Sequence, residues 1–296
     1  MIAARRIKEY SAGGWTMFSV FIVLLLPLLI ILGLLVKSLP MLNAGSIGQL
    51  LFSSSWQPSA GQFGFLPFIM SSIMVTAIGL IIMIPLSLFP AIYLTQYASP
   101  RVLGIMRSVI DILAGIPSVI HGVWGVIVIV PFISLYLGPL LGKDTTGYTI
   151  LTGGIILAIA TLPFVLHMLL EVFRSIPIEL KEATLSLGAT YWETIKKVVL
   201  KKALPGIIAA FALGVSKAFG ETIAVLMVVG NVVQLPRGAF DAGYPLPALI
   251  ANNYGEMMSI PMYDSALMFA ALVLFVVVLL FNLASKLIIQ KTTVTQ

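Results

Sequence analysis

Two charged residues, Lys217 and Glu221, lie four positions apart inside an apolar run of this 296-residue chain. On a helix that spacing puts both on one face, within reach of each other. Charges inside a membrane span are costly; as a rule they face a bundle interior or a water-filled path, and they mark function. The chemistry they offer is charge compensation, an ammonium that offsets an anion stripped of its water. The neighbouring carboxylate can hold that ammonium when no ligand is present. The competing reading of the same spacing is a structural salt bridge that locks this helix to a neighbour. Thr222 and Ser118 add neutral hydrogen-bond donors to the candidate set.

The elements that carry these residues follow from composition. Hydrophobic residues make up 59% of the chain and charged residues 9%, against about 45–50% and about 25% in soluble domains. Its main solvent is therefore lipid. Apolar runs of about 20 residues match the roughly 30 Å of hydrocarbon in a bilayer. They fall at 18–36, 66–97, 113–138, 149–173, 205–230 and 263–289. Only helices and closed barrels satisfy every backbone group in lipid, so runs of this length predict an all-α polytopic membrane protein with six transmembrane helices. The whole of 1–296 reads as one transmembrane domain.

Outside the runs, Lys37, Lys143 and Arg237 fall on one side, Lys217 lies within a span, and every other lysine and arginine falls on the opposite side. By the positive-inside rule that richer side is the cytoplasm, and both termini lie there. The net charge of +6 is thereby topogenic, and nucleic acid is not an expected partner. Val36-Lys37-Ser38 follows the first run without a small-residue cleavage pattern, so that run is read as a retained helix rather than a signal peptide. The chain has no cysteine, which excludes disulfides, thiolate metal sites and cysteine nucleophiles. His121 and His167 show no metal-ligand spacing, so no metal site is expected and both read as solvated or hydrogen-bonded structural histidines. Asp111 and Glu171 are placed to pair with Arg107 and Arg174 at helical spacing. Segments 38–65 and 231–262 are rich in Gly, Pro, Ser and Asn, and they either dock a partner outside or cap the bundle.

The longest polar interruption, 174–204, is expected in the cytoplasm. Ser175 and Pro177 suit a helix start and Gly188 suits a left-handed stop. Leu180, Thr184 and Leu187 share a stripe. Thr190 and Glu193 have capping-box spacing, so a second helix begins near Tyr191, with Trp192, Ile195 and Val199 able to bury. Pro205 is expected to open the fifth span. Physical reasoning alone leaves two readings, an interfacial anchor or a docking surface for a soluble partner.

Glu182-Ala183-Thr184-Leu185-Ser186-Leu187-Gly188 resembles the EAA loop of ABC importer permeases, with Thr184 where the family has its second alanine and Lys201 where it often has proline. Residues 213–231, LGVSKAFGETIAVLMVVGN, resemble the fifth helix of the phosphate-specific permeases, the PstC type more than the PstA type. Gly115-Ile116-Pro117-Ser118-Val119 with Gly122 and Trp124-Gly125 resembles another PstC-type element, with His121 in place of a more usual aromatic. Lys217 stands where the family commonly has arginine. The similarity runs over most of 66–290.

The resemblance implies a type I ABC importer permease fold with cytoplasmic EAA coupling helices. It implies a role as the permease subunit of an ATP-driven phosphate importer in a bacterial or archaeal cell membrane. The partners it implies are a second, PstA-like permease, two PstB-like ATPases and an extracytoplasmic PstS-like phosphate-binding protein. Glu182, Ala183, Gly188, Thr190, Trp192 and Arg174 would couple to the ATPases, and Lys217, Glu221, Thr222 and Ser118 would line the path. No Gly-rich phosphate loop of the GxxxxGK[ST] type occurs. ATP with Mg²⁺ would then bind the ATPases, leaving this chain non-catalytic and without a cofactor of its own. The alternatives are the PstA-type role, another oxyanion such as molybdate or sulfate, and more remotely a secondary transporter. That last class would need its own ion-coupling residues or pore rings.

Overall fold

The computed structural model describes residues 2–256 and 260–294, with side chains described over 13–256 and 260–290. The side chains of Arg5, Arg6, Lys8 and Lys291, counted above for orientation, lie outside the described set, as do residues 257–259 of the 231–262 segment.

The chain begins with a long helix, α1 (Ile2–Ala44), followed by a short α2 (Ile47–Phe52) and a two-stranded hairpin, β1 (Trp56–Gln57) with β2 (Gln62–Phe63). Two long helices with a shorter one between them follow: α3 (Leu66–Gln96), α4 (Pro100–Ala114) and, after three shorter pieces, α8 (Ile150–Arg174). Those pieces are α5 (Ser118–Trp124), α6 (Val130–Phe132) and α7 (Gly138–Leu140), joined by π-helical turns over Gly125–Ile129 and Ile133–Leu137 into one continuous rod. Pro131 and Pro139 lack the N–H that an α-helix would use and crowd the preceding turn. The wider π turns beside them accommodate this.

A helical turn, α9 (Ile178–Ser186), then leads to α10 (Tyr191–Thr194), a π turn at Ile195–Val199, and α11 (Leu200–Gly220). The chain closes with α12 (Ile223–Leu226), α13 (Leu246–Asn253) and α14 (Tyr263–Val294). Among the described residues six helices are long and apolar enough to cross a membrane: 13–44, 66–96, 118–140, 150–174, 191–220 and 263–290. Four match the expected spans closely, while the first, expected at 18–36, continues without a break to Ala44 and takes in the start of the 38–65 segment. The fifth departs at both ends, because α10 runs straight into α11 with Pro205 inside the helix, and the helix stops at Gly220.

The core divides by depth. At the α9 end, Leu169, Leu170 and Phe173 of α8 pack with Ile195, Val199, Ala203 and Ile207 of the helix leading into and through α11. At the hairpin end an aromatic nest surrounds Trp56, whose ring lies 4.8 Å from Phe68, 5.4 Å from Phe65 and 5.5 Å from Phe63, centroid to centroid. Tilted and edge-on contacts of this kind suit aromatic quadrupoles, and they fix the hairpin over α3 and α14. Between these ends α11 lies unusually close to α8. A Cβ at Gly214 would stand 2.6 Å from Cγ2 of Val165, and one at Gly206 would stand equally close to Val172. Small residues allow such approach in lipid, where packing rather than hydrophobicity drives association.

Candidate functional site

The site is organised by a break in the fifth span. α11 ends at Gly220, Glu221 is extended (φ −75°, ψ 113°), and a new short helix starts at Ile223. Glycine is the weakest helix former after proline. The polar side chains that follow it satisfy the freed backbone: Glu221 Oε1 accepts from the Ala224 N–H at 3.4 Å, and the Thr222 hydroxyl donates to the Gly220 carbonyl at 3.3 Å. Beyond α12 the Asn231 amide donates to the Leu226 carbonyl at 2.8 Å. The following loop folds back onto the first turn of α8, where the Ile150 and Leu151 N–H groups donate to the carbonyls of Asp241 and Ala239 at 2.9 and 2.7 Å. Asp241 itself accepts from the Arg237 and Gly238 N–H groups at 2.7 and 2.9 Å.

The expected Lys217–Glu221 pair does not form. Four-residue spacing brings side chains together only on an unbroken helix, and Glu221 has already left it. The Lys217 ammonium lies instead 4.7 Å above the ring centroid of Phe164 on α8, a cation–π contact. Among the described residues Lys217 has no carboxylate within ion-pair distance. Phe164 was not singled out from sequence, since an aromatic in one span gives no signal about a lysine in another. Phe164 lies ten residues from the end of α8, about 15 Å at the helical rise of about 1.5 Å per residue, so the break sits near mid-depth.

Ser118 opens α5, which packs on α12, where the Gly122 position faces Met227. This carries Ser118 beside the segment that follows the break, and no hydrogen bond joins it to Lys217. His121 corrects a second expectation. It is only 9% exposed, its Nδ1 has no hydrogen-bond partner, and it borders a cavity of about 300 Å³ lined by Leu113, Ile116, Ile120, Trp124 and Ile159.

At the α9 end the local signals hold. Gly188 is left-handed at φ 83°. The capping box is complete: Thr190 Oγ1 accepts from the Glu193 N–H at 3.3 Å, while Glu193 Oε2 accepts from the Thr190 N–H at 3.1 Å. Ile195 and Val199 are buried. Trp192 is not: it is 55% exposed, and Leu187 is 88% exposed. Leu180 is partly exposed and Thr184 half-buried, so the stripe they share with Leu187 is covered only in part and ends on the bare Leu187 side chain. The Thr184 hydroxyl, in the family's alanine position, donates to the Leu180 carbonyl at 2.7 Å. Glu182, Ala183 and Arg174 are exposed as well, and burial pushes the Lys181 ammonium below its ordinary pKa.

The ion pairs expected along single helices, Asp111 with Arg107 and Glu171 with Arg174, do not form; each acid meets a group on the other helix. Arg107 on α4 binds Glu171 on α8 at 2.7 Å, and His167 lies 3.7 Å from Asp111. α4 lies across α8, which brings each acid nearer to a partner on the other helix than to its own neighbour.

A bundle of apolar helices with one span broken beside a charged group defines a membrane transport component. The chain belongs to the family described as binding-protein-dependent transport system inner membrane components, whose profile matches residues 83–294. It is 36% identical to the phosphate transport system permease protein PstC of Xylella fastidiosa over 76% of this chain and 74% of that protein. It is 34% identical to the probable phosphate transport system permease protein PstC of Methanocaldococcus jannaschii over 94% and 92%. The probable ABC transporter permease YqgH of Bacillus subtilis is 36% identical over 82% and 78%. Among solved structures, the inward-facing MetNI methionine ABC transporter aligns with TM-score 0.55 at 22% identity, covering 86% of this chain and 98% of that one. The architecture is that of an ABC importer permease, and the protein crosses the membrane several times.

Proposed function

We propose that this chain is the PstC-type permease subunit of an ATP-driven phosphate importer. The observation that carries this reading is Lys217, an ammonium near mid-depth, free of any carboxylate partner among the described residues and held over an aromatic face at a broken helix. A multiply charged anion shedding its water needs such a cation, and a cation without a bound acid is open to it. The relatives named as phosphate transport permeases support phosphate as the cargo.

In this reading the chain shares its path with a PstA-like permease, receives phosphate from a PstS-like binding protein outside, and is driven by two PstB-like ATPases that bind ATP with Mg²⁺. The chain itself catalyses nothing. Thr222 and Ser118 border the path near Lys217, and Glu221 shapes the break rather than holding the lysine. Both termini and the α9–α10 turn face the cytoplasm. The exposed stripe of Leu187 and Trp192, with Glu182, Ala183 and Arg174 beside it, seats in the ATPase, and Gly188 and Thr190 hold the turn rigid enough to act as a lever.

The test is uptake of radiolabelled phosphate by vesicles containing the full complex, challenged with sulfate and molybdate. Lys217→Ala abolishes uptake while the complex still assembles. Normal uptake in that variant, or equal competition by sulfate, overturns the phosphate assignment at this residue.

A further inference from the structure

Four side chains of α8, Phe164, His167, Glu171 and Arg174, recur at steps of three, four and three residues. Such steps keep them on one stripe of a helix, and the stripe runs from the broken span to the α9 end. Its upper member carries the Lys217 ammonium on its ring. Below, α4 lies against the stripe and supplies Asp111 opposite His167 and Arg107 opposite Glu171. The sequence of groups descending the stripe is therefore lysine, imidazole with carboxylate, guanidinium with carboxylate, and arginine.

These groups are not packed away. The side chains of His167, Asp111 and Glu171 are 50%, 65% and 57% exposed. Glu171 is one turn from the end of α8, where lipid headgroups can reach a charge. His167 and Asp111 are a turn deeper, and a half-exposed carboxylate there is too costly to face hydrocarbon. Arg107 is more covered, at 29% exposed, and its Nε is buried without a hydrogen-bond partner, so the guanidinium is held between the helices with donor capacity to spare. The face is built for water.

We infer that the His167–Asp111 and Arg107–Glu171 pairs, with Lys217 above, line the stretch of anion path between the broken helix and the α9 end. This rests on the reading of Lys217 given above and extends it to residues on two further helices. The Arg107 guanidinium is matched by the Glu171 carboxylate and the His167 imidazole faces Asp111, so neither rung is a permanent anion trap. A passing phosphate competes with the acid for the cation, and the acid reclaims it afterwards. The Arg107 guanidinium, with its planar fork, suits a tetrahedral oxyanion at the lowest pair.

The chain lacks cysteine, so single thiols report cleanly in an assembled complex whose partner subunits are made cysteine-free. His167→Cys and Asp111→Cys are labelled with an anionic methanethiosulfonate added at the α9 side, with Phe89→Cys, an exposed apolar position of α3, as the control. Labelling at 167 and 111 is expected to be about tenfold or more faster than at 89, since the reactive thiolate needs water and a lipid-facing thiol has none, and phosphate slows it. No preferential labelling, or labelling that no oxyanion slows, in an assembled complex overturns the ladder and leaves the phosphate reading, which rests on uptake by the parent complex, intact. Labelling that is slowed by sulfate or molybdate but not by phosphate retains the ladder and overturns the phosphate reading.

Discussion

Lys217 of α11 sets its ammonium over the ring of Phe164 of α8, 4.7 Å from the centroid, and not against Glu221, its nearest acid in sequence. The contact joins the two helices at the level where α11 ends. An aromatic face holds a cation without neutralising it, at about 0.5–2 kcal/mol, which leaves the charge available to an anion.

Phe164→Leu is expected to raise the half-saturating phosphate concentration of the full complex about fivefold, the equivalent of losing about 1 kcal/mol of positioning. Phe164→Tyr, which keeps the ring, stays near the parent value. Concentration-dependent uptake in reconstituted vesicles measures both, and equal behaviour of the two variants would remove Phe164 from any role in placing Lys217.

Glu221 has a second job that Gln can share. Its carboxylate oxygen accepts from the Ala224 N–H, so Glu221→Gln retains an acceptor while Glu221→Ala loses the cap. Thermal unfolding of the purified protein in detergent should show Glu221→Ala less stable by about 1 kcal/mol and Glu221→Gln close to the parent.

The close approach of α8 and α11 predicts a steric defect. Gly214→Ala pushes a methyl into Val165, where 2.6 Å separates the built Cβ from Cγ2, at a cost of about 1–3 kcal/mol. Adding Val165→Ala opens the space and recovers about 1 kcal/mol of that loss. A double-mutant cycle on unfolding temperature reads the coupling, and strict additivity of the two changes would contradict the packing.

Trp192 is exposed, so Trp192→Ala should leave the stability of this chain unchanged. It should nonetheless weaken capture of the ATPase by about tenfold or more, as loss of an aromatic anchor does. Titration of the purified permease pair with ATPase measures it.

Thr190→Ala removes the hydroxyl that accepts from the Glu193 N–H and is expected to destabilise the α9–α10 turn by about 1 kcal/mol. Hydrogen exchange over 178–194 should rise while the α3 and α8 cores keep their protection. Gly188→Ala acts on the same turn through backbone strain at φ 83°, by about 1–2 kcal/mol.

Much of this was present in the order of residues. Composition and run length determined a six-span helical bundle, because a chain this apolar must satisfy its backbone internally wherever lipid surrounds it. The cap at Thr190 and the left-handed Gly188 were equally legible, since both depend on residues within one turn. What the tertiary structure alone decided is which groups meet. Spacing assigned Lys217 to Glu221, Asp111 to Arg107 and Glu171 to Arg174, because spacing can only propose partners along one continuous helix. The fold broke the fifth helix at Glu221 and crossed α4 over α8. Phe164 thereby came beneath Lys217, His167 beside Asp111, and Arg107 against Glu171. Trp192, whose hydrophobicity suggested burial, stayed largely at the surface because the chain around it covers only part of its ring. Local rules act over a few residues; the partners of a charge or a ring are set by helix crossings that no short stretch of sequence encodes.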